Sequence, residues 1–116
     1  MQIFHIDAYQ FGKITISGET YQKDVIILPG RLITGWWRNE RHLLQEADLS
    51  DILKAKPDLL IIGQGANSRM QVTNEADLAL KAAGIECMAM PSEQACLEYN
   101  RKARECSAAA ALHLTC

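Results

Sequence analysis

Four consecutive aliphatic residues, Leu59–Ile62, lead directly into the sequence Gly63-Gln64-Gly65. A strand that is apolar at every position must be covered on both faces, as a central strand of a parallel sheet is. Glycines at its end allow the chain to turn sharply where the strand leaves the sheet. This segment therefore predicts an α/β fold with helices on both sides of a sheet.

Helix-like and strand-like segments alternate through the second half of the chain. A short helix follows Asp48 and ends before Pro57, because the residue before a proline is pushed out of the helical region. A second helix has either Thr73 or Asn74 as its cap and closes at Gly84. This alternation predicts right-handed crossovers and a mostly parallel sheet.

The third helix and two further strands complete this half. Ile85–Met90 is predicted as a strand, and Pro91-Ser92 starts the helix with Ser92 as its cap. The segment Ser107–Leu114 fits either more helix or a strand, and its late alternation favours the strand. The buried stripe of the third helix is predicted to be Ala95, Cys96, Tyr99 and Ala103.

The opening of the chain has a β-like pattern. Lys13–Ile16 alternates up to a Ser17-Gly18 turn, and Tyr21–Leu28 follows with Tyr, Val and Ile. We therefore expect an N-terminal β-hairpin, which makes the sheet mixed. Arg31–Gln45 shows no clean period and is predicted to be an irregular loop.

Length and charge restrict the classes of partner. The 116 residues suit one domain, residues 1–116, and the formal net charge of −2 gives no general attraction to nucleic acid. No apolar stretch reaches the roughly 20 residues that span a bilayer, and the start lacks the pattern of a secretory signal. We expect a cytoplasmic protein that binds neither membranes nor nucleic acid.

The cysteines and histidines do not form a known metal or redox pattern. Four cysteines lie nine or ten residues apart with no C-x-x-C pair, so we expect reduced core residues, with Cys116 as the exposed exception. The three histidines lack the spacing of zinc ligands. Ser92 and Cys96 are possible nucleophiles and His42 a possible base, but no nucleophile elbow surrounds them. The sequence predicts no catalytic residue, cofactor or metal.

Two segments are candidate binding sites. A strand exit such as Gly63–Gly65 is the favoured place for a ligand in an open α/β sheet, although Ser68 stands where a dinucleotide fingerprint needs its third glycine. Aromatic and basic residues are densest in the segment Trp36–His42, where they suit either a loop anchor or a protein contact, and nucleic acid less. The residues of this cluster are Trp36, Trp37, Arg38, Arg41 and His42.

Several weak motifs in a specific order resemble one family. They are Tyr21 with Asp24–Ile27, Trp36–Arg38 with His42, Lys56-Pro57 leading to Ile62–Gly65, Ala83–Ile85, and Ala95-Cys96 with Tyr99-Asn100. Together they are similar to domain-of-unknown-function family 498, the Mth-938-like family, whose relatives include mitochondrial complex I assembly factor 3. The resemblance covers nearly the whole chain and implies a three-layer α/β domain with a central mixed sheet.

Two functions remain open from the sequence. The leading hypothesis is a non-enzymatic binding or assembly factor that contacts a protein partner through the Trp36–His42 segment. The alternative is a small-molecule binding protein or enzyme with a cleft at the Gly63–Gly65 exit. The residues predicted to line the cleft or the interface are Trp36, Arg38, His42, Gly63, Gln64, Gly65, Ser92, Tyr99 and Asn100.

Overall fold

Two larger sheets, a two-stranded ladder and three helices account for most of the chain. A computed structural model describes residues 3–38, 40 and 42–116. The helices are α1 (Ser50–Ala55), preceded by a 3-10 turn at Glu46–Leu49, α2 (Asn74–Ala82) and α3 (Ser92–Lys102). The strands are β1 (Ile6–Gln10), β2 (Lys13–Ile16), β3 (Glu19–Tyr21), β4 (Val25–Leu28), β5 (Arg31–Thr34), β6 (Leu43–Leu44), β7 (Leu59–Gly63), β8 (Gln71–Val72), β9 (Glu86–Met90) and β10 (Ala108–Leu112).

The central sheet is mixed, as predicted. Its strand order is β5-β4-β10-β7-β9, which places the last strand of the chain in the middle. The half formed by β10, β7 and β9 is parallel, whereas β4 runs antiparallel to both β10 and β5. The boundary between the two halves lies between β4 and β10.

Two hydrophobic cores lie on opposite faces of the central sheet. Ala108, Ala110 and Leu112 of β10 face the core shared with α3 and the N-terminal sheet, while Ala109 and Ala111 face the core shared with α1 and α2. All five positions of β10 are buried, and so are all five of β7. The three-layer α/β fold is therefore confirmed, and the small alanine side chains let both outer layers approach the sheet closely.

The first half of the chain corrects two predictions. The hairpin gains β1, giving a separate antiparallel sheet in the order β1-β2-β3. Tyr21–Leu28 is not one strand, because the chain leaves this sheet after Tyr21 and enters the central sheet at Val25. Arg31–Gln45 is not wholly irregular, since Arg31–Thr34 pairs with β4 as an edge strand and Leu43–Leu44 pairs with β8.

The predicted helices of the second half are confirmed, with their ends set by local chemistry. Thr73 caps α2, because its side-chain oxygen accepts a hydrogen bond from the Ala76 N–H. Gly84 follows that helix with φ of 76°, a left-handed conformation that glycine adopts without strain. No helix within the described part of the chain is long and apolar enough to cross a membrane.

Replacing an alanine of β10 tests the close packing of the layers. Ala110 is fully buried between β4 and β7. We expect Ala110→Leu to lower the free energy of unfolding by about 1–3 kcal/mol, because the added carbons must force α3 or the N-terminal sheet outward. Urea denaturation measures the effect, with Ala82→Leu on the exposed side of α2 as the control. Equal stability of both variants would contradict close packing around Ala110.

Candidate functional site

Strand register brings Asp24 next to His113. Val25 at the start of β4 is paired with Leu112 at the end of β10, so the residues that flank this pair, Asp24 and His113, leave the sheet at the same edge. The Asp24 carboxylate lies 2.7 Å from Nδ1 of His113 and accepts a 2.8 Å hydrogen bond from the Leu114 N–H. The edge of the central sheet therefore carries an acid and a histidine in direct contact.

Arg38 completes a buried ionic cluster with these two residues. Its Nη1 lies 3.0 Å from Oδ2 of Asp24, the same oxygen that contacts His113, and its Nη2 lies 3.0 Å from Nδ1 of His113. A guanidinium only donates, so Nδ1 cannot both accept from Arg38 and donate to Asp24. We assign the Nδ1 proton to the shorter, charge-assisted hydrogen bond to the carboxylate.

The cluster changes the acidity of Asp24. Burial by itself raises the pKa of this carboxyl, but the hydrogen bonds from His113 and from the Leu114 N–H act in the opposite direction. The positive charge of Arg38 adds to them, and the net result is a pKa below the ordinary value. Asp24 is therefore a carboxylate at neutral pH, and Arg38 balances its charge.

The aromatic and basic segment is built on this cluster. The Arg38 guanidinium stacks on the Trp36 ring, 4.6 Å from its centroid, and Trp36 packs against the core that faces α1 and α2. The His42 ring meets His113 edge to face with centroids 6.1 Å apart. The structure thus brings Trp36, Arg38 and His42 together around His113, whereas Arg41 lies outside the described residues.

A cleft of about 570 Å³ opens beside the cluster. Trp36 is half-buried in its wall, while Trp37 is 76% exposed at the same cleft. The two neighbouring tryptophans therefore differ, because one anchors the segment and the other faces water. The described residues that line it are Gln22, Lys23, Asp24, Gly35, Trp36, Trp37, Arg38, His113 and Thr115.

The Gly63–Gly65 exit is filled by the chain itself. A Cβ on Gly65 would collide with the carbonyl group of Cys116, and φ at this glycine is 98°. The Gly65 N–H donates to Oγ of Ser92 at 2.9 Å, and that hydroxyl donates to the His113 carbonyl at 2.5 Å. Ser92 is therefore not the helix cap that we expected, since Pro91 holds that position and the Ser92 side chain ties the exit to β10.

The remaining predicted residues lie apart from the aromatic segment. The Gln64 side chain donates to the Met70 carbonyl. Asn100 pairs its side-chain amide with both the N–H and the carbonyl of Ile6, at 2.8 Å each, and so holds the edge of β1 against α3. Tyr99 is buried in the core between α3 and the sheet. Gly63, Gly65 and Ser92 meet one another, whereas Tyr99 and Asn100 lie farther along α3, next to the core shared with the N-terminal sheet.

The two candidate nucleophiles predicted from the sequence, Ser92 and Cys96, are hydrogen-bonded to the backbone or buried in the core. Ser92 is fully buried with its hydroxyl hydrogen-bonded at both ends, and burial raises the pKa of Cys96 to about 12. Burial likewise raises the pKa of Cys87 to about 11, which leaves little thiolate at neutral pH. Cys116 is half-buried rather than the exposed exception that we expected, because its carbonyl accepts from the Arg69 N–H.

The sequence alone does not identify Asp24 and His113 as site residues. Each directly follows or precedes a strand, so each looked like an ordinary strand end. The signal that could have found them is the antiparallel pairing of β4 with β10, because this register alone makes the two residues neighbours. Without knowing that the last strand pairs with the fourth, nothing in the local sequence links positions 24 and 113.

A family description matches almost the whole chain. The sequence model of the family described as "Protein of unknown function (DUF498/DUF598)" matches residues 6–113. The description names no activity.

Solved structures show the same fold. A conserved hypothetical protein from Pyrococcus horikoshii OT3 is similar with a TM-score of 0.82 and 22% identity, covering 100% of both chains. A Bordetella parapertussis protein is similar with a TM-score of 0.83 and 22% identity over 98% of each chain. A Bordetella pertussis protein described as a Mth938-like domain is similar with a TM-score of 0.70 and 18% identity, covering 95% of this chain and 85% of its own.

Asp24→Asn tests the ionic cluster. The variant leaves the Arg38 guanidinium, whose side chain is 3% exposed, without its counter-charge, so we expect a loss of about 3 kcal/mol in the free energy of unfolding at pH 7. The pKa of Asp24 in the folded protein lies below the ordinary Asp pKa of 3.8. The Asp24 carboxylate therefore contributes its full stabilisation at pH values above 3.8, and this stabilisation is lost as the pH falls through the pKa of the folded state.

The difference between wild type and Asp24→Asn should therefore narrow below about pH 4. Urea denaturation at a series of pH values measures it. Asp77→Asn, which removes an exposed ion pair with Lys81, is the matched control and should change stability little at any pH. If the difference in free energy of unfolding between wild type and Asp24→Asn stays constant at the lowest pH measured, the Asp24 charge is not what stabilises the cluster.

Ser92→Ala tests the structural role of that hydroxyl. The change leaves the Gly65 N–H and the His113 carbonyl without their buried partner, so we expect the free energy of unfolding to fall by about 1–3 kcal/mol. Ser50→Ala at the exposed start of α1 is the control and should be nearly neutral. If urea denaturation gives Ser92→Ala the same free energy of unfolding as wild type, the Ser92 hydroxyl does not stabilise the fold and its structural role is refuted.

Proposed function

We propose that this chain, which belongs to the DUF498/DUF598 family of proteins of unknown function, is a non-enzymatic binding or assembly factor. It docks a protein partner through the Trp36–His42 segment. Because the family description names no activity, the role is argued from the geometry of the chain itself. The single observation that carries this proposal is Trp37, an indole that is 76% exposed at the rim of a cleft. Tryptophan is among the residues most enriched at the energetic centres of protein interfaces.

The rigid backing of the exposed indole supports this proposal. Its neighbours Trp36 and Arg38 stack on each other, and Arg38 is held by its ion pair with Asp24. Side chains that are already held in place lose little conformational entropy when a partner binds. Trp37 is thus presented on a fixed base, which suits recognition by a preformed surface.

The chemistry of the cluster supports binding over catalysis. Both oxygens of the Asp24 carboxylate are used, one by the Leu114 N–H and the other by Arg38 and His113. The hydroxyl of Ser92 is likewise committed to backbone groups. Internal hydrogen bonds of this kind fix a surface in place, whereas an acid–base catalyst needs a group that can reach the substrate.

A small-molecule ligand in the same cleft is the second candidate. The volume of about 570 Å³ favours it, because ligand pockets commonly measure about 300–1,000 Å³. This candidate moves the alternative from the Gly63–Gly65 exit to the boundary between β4 and β10. A thermal-shift screen distinguishes the two, since a ligand at about 100 times its dissociation constant adds about 2.7 kcal/mol of stability.

Trp37→Ala tests the proposed interface. We expect affinity purification with the wild-type chain to retain a protein partner that the variant loses, because truncating an interface tryptophan typically costs about 2 kcal/mol or more of binding free energy. The stability of the variant should stay within about 0.5 kcal/mol of wild type, because the side chain is exposed. Leu78→Ala, an exposed apolar residue of α2, is the control. Equal retention of the partner by wild type and Trp37→Ala would refute the proposal.

A further inference from the structure

The charges that line the cleft select among possible partners. We propose that the partner docks an acidic segment, in which an Asp or Glu carboxylate pairs with Lys23 and an adjoining apolar side chain lies against Trp37. This inference rests on the proposed function and names the chemistry of its partner.

Asp24 does not repel an incoming carboxylate as an ionised side chain without a counter-charge would. Its charge is balanced by Arg38 at 3.0 Å, and each of its oxygens already accepts a hydrogen bond inside the protein. The two charges together form a neutral, buried pair at the base of the cleft. The electrostatic character of the opening is therefore set by the remaining charged residue of the lining.

That residue is Lys23. Its side chain is exposed, and its Cδ lies near Gly35, where an added Cβ would be in ordinary contact at 4.0 Å. Among the residues that the structure describes, no carboxylate forms an ion pair with this ammonium group. Among the described residues of the lining, the charges consequently sum to one positive charge in excess, on a chain whose formal net charge is −2.

The other polar groups of the lining also favour an acceptor. The indole N–H groups of Trp36 and Trp37 can only donate, and within the described ranges neither one has a protein acceptor. Gln22 and Thr115 can donate as well. A ligand with acceptor oxygens and negative charge complements this set of donors.

A carboxylate fits this cleft better than a phosphate does. A phosphate group carries nearly two negative charges at neutral pH and is recognised best by the bidentate fork of an arginine. Here Arg38, the one arginine among the described residues of the lining, is committed to Asp24. One excess positive charge matches the single charge of a carboxylate, and the exposed Trp37 indole offers apolar surface to the residue beside it.

Selection from a random peptide library tests this inference directly. Phage-displayed dodecapeptides are selected on the immobilised full chain and counter-selected on Trp37→Ala, so that the retained peptides depend on the proposed surface. Their affinities are then measured by fluorescence polarisation on wild type, Lys23→Glu and Lys54→Glu. Lys54 lies on the exposed side of α1 and provides a matched change of charge outside the lining of the cleft.

We expect retained peptides rich in Asp or Glu next to an aromatic or aliphatic residue. Lys23→Glu should weaken them by about tenfold, since it removes an attractive charge and adds a repulsive one, whereas Lys54→Glu should change affinity less than about twofold. Raising the salt concentration should weaken binding to wild type and not to Lys23→Met.

Three outcomes would overturn the inference, and they differ in what they say of the proposed function. Trp37-dependent peptides that are basic, or that bind Lys23→Glu as well as wild type, leave the proposed interface standing and reject the acidic segment. A library with no Trp37-dependent peptide rejects both. In the third outcome, millimolar glutarate stabilises wild type but not Lys23→Glu, and no acidic peptide is retained. The natural ligand of the cleft would then be a small carboxylic acid rather than a protein segment.

Discussion

The contact between Asp24 and His113 is the constraint on which the site depends. It joins the start of β4 to the end of β10, and the Leu114 N–H bonds the second carboxylate oxygen, so three backbone positions are fixed by one side chain. Arg38 then inserts its guanidinium against this pair. Because Arg38 also stacks on Trp36, the position of the aromatic segment follows from the ionic cluster rather than from any regular element of its own.

A buried ionic cluster contributes less to stability than its short distances suggest. Desolvation of the charges opposes their mutual attraction, and apolar residues of similar size often give equal or greater stability. What the charged cluster adds is direction, since a guanidinium held by a carboxylate in a defined geometry fixes the plane of the ring stacked on it. The Nε2 atom of His113 lies buried with no hydrogen-bond partner in the described part of the chain, and an unpaired buried polar atom lowers stability.

The elements that the sequence predicts well are those whose signals are local. Leu59–Ile62 is apolar throughout, and Thr73 and Gly84 delimit α2, so neighbouring residues suffice to place them. The break between Tyr21 and Val25 is different, because both sides have the same strand-like composition and only the assignment to separate sheets divides them. The same limit hid the site, since Asp24 and His113 become neighbours only through the pairing of strands that are distant in sequence.

Topology also explains why the cleft lies on the far side of β10 from the β7 exit rather than at that exit. In open α/β sheets ligands bind beyond the carboxyl ends of parallel strands, at the edge where β7 ends here. Residues after β10 cross that edge, with the Thr115 and Cys116 carbonyls accepting from the Ala66 and Arg69 N–H groups, and so cover the Gly63–Gly65 turn. The uncovered part of the edge is the boundary where parallel β10 meets antiparallel β4. There the residues just before β4 and just after β10 both line the cleft, which Arg38 and Trp36 border.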